Sequence, residues 1–448
     1  MRQNYKKQLS MSKGWPDHDL SQELRVISEI LDCHPEIYDK AMEDITQGKR
    51  TDCGARGMSG EQVVRCAILK RMHCLSYEKL SFHLADSESF KEFSRIGYRK
   101  RIARSTLQEN INKLTAGTWE EINRVLLSHA NAHKIEKGRK VRGDCTVVET
   151  HIHKPHDSCQ LCDCVRVVTR TLVKLNKEIK IIPLKYHDHR RRAKKRCFSI
   201  VNTNKTKKRK TSYLDLIHVA EATYQYGLEA LKRLRDNSFE DSRVDGYITK
   251  LSETLQLMSK VIEQTKNRVF NGENVPVDDK VVSIFEPHTD IIVKKRRETL
   301  FGHKIALMLG KSSMILDCMI LKGNPPDSSL PRELVERQED IWGRVPRQIA
   351  FDGGFASKDN LSILKGMGVK DVSFSKKRGM KVSDMVKSSW VYKHLHRFRA
   401  GIEGCISRLK RVFNLSRCDW RGFDAFESYV WSGLVTYNLV VVARHLLE

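Results

Sequence analysis

Three acidic residues stand where a carboxylate needs a partner. Asp144 interrupts a β-rich apolar run, VRGDCTVVETH, and Asp352 closes another, RQIAFDGGF, just before two glycines. Glu403 lies in HLHRFRAGIEGCISRLKR, a stretch of helical pattern. An unpaired carboxylate on a buried strand is costly, and an oxygen-only ligand set suits Mg²⁺ or Mn²⁺. Glu149 follows Asp144 at an odd offset, so on a strand it faces the other side of the sheet. His396, Arg399, Glu403 and Lys410 lie at offsets of −7, −4, 0 and +7, within roughly 40° of one line along a helix. That face presents one carboxylate among cations, as a metal ligand flanked by phosphate-holding groups would. As plain solvated surface it would offer only an i,i+4 pair, Arg399–Glu403, worth a few tenths of a kcal/mol. Gly401 and Gly404 each cost about 0.5–1 kcal/mol inside a helix, which points to a close approach by a backbone or a phosphate.

The charge balance points to a polyanionic partner. The 448 residues carry 81 Lys and Arg against 55 Asp and Glu, a net charge of +26. Nucleic acid is the first partner such an excess suggests and an acidic membrane the second. The densest run, HRRRAKKRCFSIVNTNKTKKRK, has eleven basic residues and no acid between His189 and Lys210. Arg190, Arg191, Arg192, Lys194, Lys195, Arg196, Lys207, Lys208, Arg209 and Lys210 read as a strip that tracks DNA phosphates without reading bases. A solvated loop or a localisation signal is the plainer alternative. Arg99, Lys100 and Arg101 form a smaller basic knot.

Other candidates have bland roles. HIHKPHDSCQLCDC packs three His and three Cys into residues 151–164, but the spacing matches no standard paired zinc knuckle. Those cysteines read as partly buried thiols, and the twelve cysteines overall as reduced. Asp157 and Asp163 read as helix-start residues, and Asp327 in GNPPDSSLP as a turn or cap residue. Tyr429–Leu447 is long enough for a bilayer helix, yet it contains Asn438, Arg444 and His445 and is expected to be a buried helix packing on a sheet. With no apolar leader visible at the N-terminus, a cytoplasmic protein is expected, with no membrane partner.

The elements that must position these residues fall into three blocks. Residues 1–135 read as an all-helical N-terminal domain compatible with DNA binding, with capping boxes expected at Ser59/Gln62 and Ser105/Gln108. Residues 136–448 read as an α/β domain, with strands near 141–148, 301–309, 314–321, 347–351 and 369–374, and helices over 332–341, 358–367 and 390–413. A mostly helical insertion at about 155–295 interrupts it, too long to be a loop.

Taken together, the strand Asp, the strand-end Asp-Gly-Gly and His396-x2-Arg399-x3-Glu403-x6-Lys410 resemble the DDE transposases of bacterial insertion sequences. The last pattern is similar to their YREK signature, with His396 where tyrosine is usual. GDCTVVETHIH, FGHKIALM, KGNPPDSSL, AFDGGFASKDNL and FRAGIEGCISRLKR most resemble the group called ISNCY. The resemblance runs from about residue 20 to the end and implies an RNase H-like catalytic core. It implies Asp144, Asp352 and Glu403 as the catalytic, metal-binding triad, and Arg399 and Lys410 as DNA contacts. Such a triad uses two Mg²⁺ or Mn²⁺ ions ~3.5–4 Å apart, so water and a DNA 3′-hydroxyl serve as alternative nucleophiles. The expected protein is therefore a transposase of the bacterial nucleoid, acting on double-stranded element ends and target DNA as a homodimer or larger synaptic complex. The alternatives are a metal-dependent nuclease without strand transfer and a non-catalytic DNA-binding regulator derived from a transposase.

Overall fold

The computed structural model describes residues 15–48, 57–97, 100–179, 183–235, 242–294 and 298–448, so Arg99 of the basic knot lies outside the described residues. The chain forms two compact units, one of residues 1–150 with 292–448 and one of residues 151–291.

Among the described residues the first unit opens with seven helices: α1 (Asp19–Asp32), α2 (Glu36–Thr46), α3 (Gly60–Met72), α4 (Tyr77–Asp86), α5 (Glu88–Ser94), α6 (Arg104–Ile111) and α7 (Ala116–Ala132). Helix α3 starts on the capping box between Ser59 and Gln62. The box expected at Ser105 and Gln108 is absent, because α6 already begins at Arg104 behind Ala103. The Ser81 hydroxyl donates to the Ile102 carbonyl at 2.6 Å, and Ile102 is buried. That tertiary anchor brings the chain into the helix earlier than the local capping signal would.

The sheet contains β1 (Lys140–Glu149), β2 (Asp290–Lys294), β3 (Glu298–Leu309), β4 (Ile315–Ile320), β5 (Gln348–Phe351) and β6 (Asp371–Phe374). β1 is antiparallel to β3, and β3 to β4. β1 is parallel to β5, and β5 to β6. β2 lies at the edge beside β3, at the end of the stretch expected to be helical insertion. Helices α12 (Pro331–Trp342) and α13 (Lys358–Gly366) connect the later strands, and the short α14 (Val382–Met385) and α15 (Ser389–Val412) follow β6. Val391, Leu395, Ile402, Cys405 and Leu409 form the buried stripe of α15, which lies across β1, β5 and β6.

The last helix, α16 (Phe423–Leu447), is long and apolar enough to cross a membrane, yet 78% of its most apolar window is buried within the chain. It packs against α7, α1, α3 and β4, mostly on helices rather than on the sheet face. Asn438 explains its one amide. Its side chain accepts from Ile315 N–H at 2.8 Å and donates to the Ile315 carbonyl and the Asn123 side chain, both at 2.7 Å. A buried amide satisfied this fully pins helix to strand. The change near residue 135 is thus a change of element type inside one packed unit, since the N-terminal helices and the sheet share a hydrophobic core.

The second unit packs α8 (Asp157–Glu178), α9 (Arg190–Val201), α10 (Thr206–Arg235) and α11 (Ser242–Lys266) around a separate core that includes Leu161, Val168, Leu216, Leu255 and Val261. At the start of α8, Asp157 pairs with Arg268 at 2.7 Å, and His156 takes the N-cap position with its ring bonded to Ser158 Oγ rather than to a helix N–H. Asp157 is the first residue of α8, as its expected helix-start role requires, and the ion pair adds to that role. Asp163 likewise pairs with Arg166, one turn on.

Candidate active site

The parallel pairing of β1 with β5 sets the site. Gly143 lies opposite Phe351, so the next residues, Asp144 and Asp352, emerge side by side from neighbouring strands. Room for this pairing depends on Gly143. A Cβ there would collide with the Phe351 ring, lying 2.7 Å from Cδ1, and would come 2.8 Å from Met308 Sδ. Phe351 is buried and stacks on Phe355 and Phe374, so it has little freedom to retreat.

Helix α15 is held against the sheet by Arg142, one residue before Gly143. Its guanidinium donates to the Phe398 carbonyl at 2.7 Å and to Ser313 Oγ at 2.9 Å. The same guanidinium fills the space where a Cβ on Gly401 would stand, with Cζ 3.2 Å away. The close approach expected at Gly401 is therefore made by a side chain of this protein. Gly404 has nothing within 4 Å of such a position, so the expectation of a close neighbour fails there.

Arg399 joins the three acids. Its Nη2 lies 2.9 Å from Asp144 Oδ2 and 3.3 Å from Asp352 Oδ1, and its Nη1 lies 3.0 Å from Glu403 Oε1. The Arg399 and Asp144 side chains are 15% and 16% exposed, Asp352 is 43% and Glu403 68%, so the cluster opens to solvent on the Glu403 side. Burial raises the Asp144 pKa, against the pull of Arg399 and of the Cys145 N–H, which donates to Oδ1 at 2.8 Å. Burial also acts upward on Asp352. The Ser375 hydroxyl at 2.6 Å, the Gly353 N–H, Arg399 and Lys376 together outweigh it and leave Asp352 below the ordinary value.

His396 and Lys410 share α15 with Arg399 and Glu403. His396 is exposed, with its ring centroid 6.2 Å from that of Tyr392, while Lys410 is half-buried. Sequence reasoning missed the residues that orient the triad. Ser375 follows β6, whose register sets Phe374 opposite Phe351, so residues 375 and 352 must be neighbours. That signal needed the strand pairing. Asp327 opens a 3₁₀ turn, Asp327–Ser329, close to the expected turn role. It also pairs with Lys304 and places Oδ2 2.6 Å from where a Cβ on Gly354 would stand, which accounts for the second glycine after Asp352.

The basic strip is helical, on α9 and the start of α10. Arg192 and Arg196 both pair with Asp215, and Arg190 with Asp188 at 2.6 Å, so acids just outside the run neutralise part of it. Arg191, Lys194, Lys195, Lys207, Lys208, Arg209 and Lys210 are exposed, as are Lys100 and Arg101 of the smaller knot. In the His/Cys stretch, Cys164 is buried in the core of the second unit, and Cys159 Sγ lies 3.8 Å from Cys197 Sγ. His153 pairs with Asp163 at 3.6 Å. Among the described residues no group of three or more His, Cys, Asp or Glu side chains is arranged, as it stands, to hold a metal ion.

Residues 274–439 match the family model of the transposase DDE domain, and the chain carries a DDE transposase domain over that stretch. The match takes in Asp352, Arg399, Glu403 and Lys410. It begins beyond Asp144, which the second unit separates in sequence from the rest of the site. A domain of this family implies a phosphoryl-transfer enzyme with DNA as its partner and divalent metal ions as its cofactors. No curated protein and no solved structure matches the chain.

Proposed function

We propose that this protein is a transposase that binds the terminal inverted repeats of its own element, cuts there and joins the ends to target DNA. The observation that carries the reading is the convergence of Asp144 on β1, Asp352 just after β5 and Glu403 on α15 on one cation. Two antiparallel pairings, β1/β3 and β3/β4, beside two parallel ones, β1/β5 and β5/β6, support an RNase H-like core.

The donor set fits hard divalent ions, because three carboxylates from three elements already share one positive group. Asp144, Asp352 and Glu403 would hold Mg²⁺ or Mn²⁺, which when bound activates the attacking oxygen and stabilises the leaving one. The protein's own groups do the positioning. Cys145 N–H fixes Asp144 Oδ1 and leaves Oδ2 to Arg399, while Ser375 fixes Asp352 Oδ1, the same oxygen that faces Arg399. Glu403, the most exposed of the three, stands on the side from which DNA arrives. Exposed cations of α9 and α10 hold backbone phosphates, with Lys100 and Arg101 as a second contact. Because water or a DNA 3′-hydroxyl is the nucleophile, no Ser or Tyr adduct is needed. Two element ends must be held together, so the working form is a dimer or larger.

The test uses supercoiled plasmid carrying the DNA that flanks this gene, incubated with the protein and Mg²⁺ or Mn²⁺, beside Asp352→Asn. Breaks confined to a pair of inverted sequences, with joined products, all lost with EDTA or in the variant, are expected. Metal-dependent cuts at scattered positions would indicate a nuclease instead. Salt-sensitive binding without cutting would indicate the DNA-binding regulator.

A further inference from the structure

Arg399 is the least ordinary residue of the site. It is largely buried, it contacts all three acids, and its Nε is buried with no hydrogen-bond partner. A guanidinium has five N–H donors and is fully used only when both of its edges are met. Here the Nη groups are engaged and Nε is not. Three carboxylates against one guanidinium also leave a formal excess of two negative charges. The arrangement is satisfied neither for the arginine nor for the acids.

The oxygens that Arg399 holds are the ones a metal ion would need: Asp144 Oδ2, Asp352 Oδ1 and Glu403 Oε1. The second oxygen of Asp144 does not stand in as readily. Asp144 Oδ1 is taken by the Cys145 N–H, and Asp352 Oδ1 is shared between Ser375 and Arg399. A divalent ion and the guanidinium therefore compete for the same electron pairs.

We propose that Arg399 is a built-in counter-cation of the metal-free site, displaced when divalent ions bind and then free to take a DNA phosphate. The proposal rests on reading the three acids as the metal site. Its consequence is linkage. A phosphate that captures the guanidinium clears the carboxylates for metal, and metal that captures the carboxylates releases the guanidinium for phosphate. By reciprocity each ligand tightens the other by the same factor. The site would then load metal fully only with DNA in place, which suppresses cutting by protein not yet seated on an element end.

The test is calorimetric titration with Mn²⁺ alone, of wild type, Arg399→Gln, Arg399→Lys and Asp352→Asn, then repeated with a 30-base-pair duplex of flanking DNA present. Without DNA, Arg399→Gln is expected to bind Mn²⁺ on the order of tenfold more tightly than wild type, within the ordinary range of couplings. Arg399→Lys, which keeps a charge but not the fork, falls between the two. The duplex tightens Mn²⁺ binding to wild type and leaves Arg399→Gln unchanged. Equal or weaker Mn²⁺ binding by both Arg399 variants, with Asp352→Asn weakened, would overturn the counter-cation and leave the metal site standing. Unchanged binding by Asp352→Asn would overturn the metal site and this proposal with it.

Discussion

Gly143→Ala tests whether strand packing sets the spacing of Asp144 and Asp352. The added methyl would sit 2.7 Å from Phe351 Cδ1 and 2.8 Å from Met308 Sδ. Carbon contacts are comfortable from about 3.5 Å, and Phe351 Cε1 lies closer still than Cδ1, so the ring must retreat by roughly 1 Å. Met308 is a flexible thioether and can turn aside. Phe351 is buried between Phe355 and Phe374 and takes most of the displacement, and the residue after it is Asp352. Overpacking of this kind costs about 1–3 kcal/mol. For a unit of this size that is a fall in Tm of about 2–6 °C. Misplacement by 1 Å costs about 10²-fold in rate, so a shift of several tenths should cut DNA cleavage by about tenfold or more. Thermal denaturation by circular dichroism and cleavage of flanking-DNA plasmid read the two effects. Combining Gly143→Ala with Phe351→Leu should recover much of the stability, because the shorter side chain vacates the clash. A Gly143→Ala protein with the wild-type Tm and full cleavage would refute the idea that this contact holds the carboxylates in place.

Three further outcomes are expected. Asp144→Asn, Asp352→Asn and Glu403→Gln should each lower metal-dependent cleavage by more than about 10³-fold, measured on the same plasmid, while duplex binding in gel-shift assays persists. Asp144 has its folded pKa raised by burial, so the native state binds more protons and this carboxylate contributes less stability as pH rises. Metal-free Asp144→Asn should therefore melt above wild type at pH 7.5, and the gain should vanish as pH falls toward about 4, where the free carboxyl also protonates. Replacing Lys207, Lys208, Arg209 and Lys210 together by Ala should reduce the salt slope of duplex binding by about 3–4, at ~0.9 per phosphate contact. Arg192→Ala should change it less than Lys208→Ala, because Arg192 already pairs with Asp215.

Much of the scaffold was legible because it rests on local pattern. The strand runs ending in Asp352 and containing Asp144, the helical stripe of α15 and the buried character of α16 all follow from periodicity over short windows. What escaped was non-local. Ser375 meets Asp352 only through the β5/β6 register. Helix spacing aligned Arg399 with Glu403, but its reach to two strand acids depends on α15 crossing β1 and β5. The basic run looked free of acids because Asp188 and Asp215 lie outside its window and return by helix packing. Ser105 carried a sound capping signal that the Ser81–Ile102 bond overrode. Gly401 was read correctly as a place of close approach, but nothing local could say that the neighbour is Arg142 rather than a phosphate.

The central claim is that Asp144, Asp352 and Glu403 form one divalent-metal centre for phosphoryl transfer. Crystals of the protein bound to flanking duplex DNA and grown with Mn²⁺, measured at the manganese edge, test it most directly. The account expects anomalous density between the three carboxylates, with the Arg399 guanidinium moved off them. Crystals that bind Mn²⁺ elsewhere, with Arg399 still joined to all three acids, would contradict it.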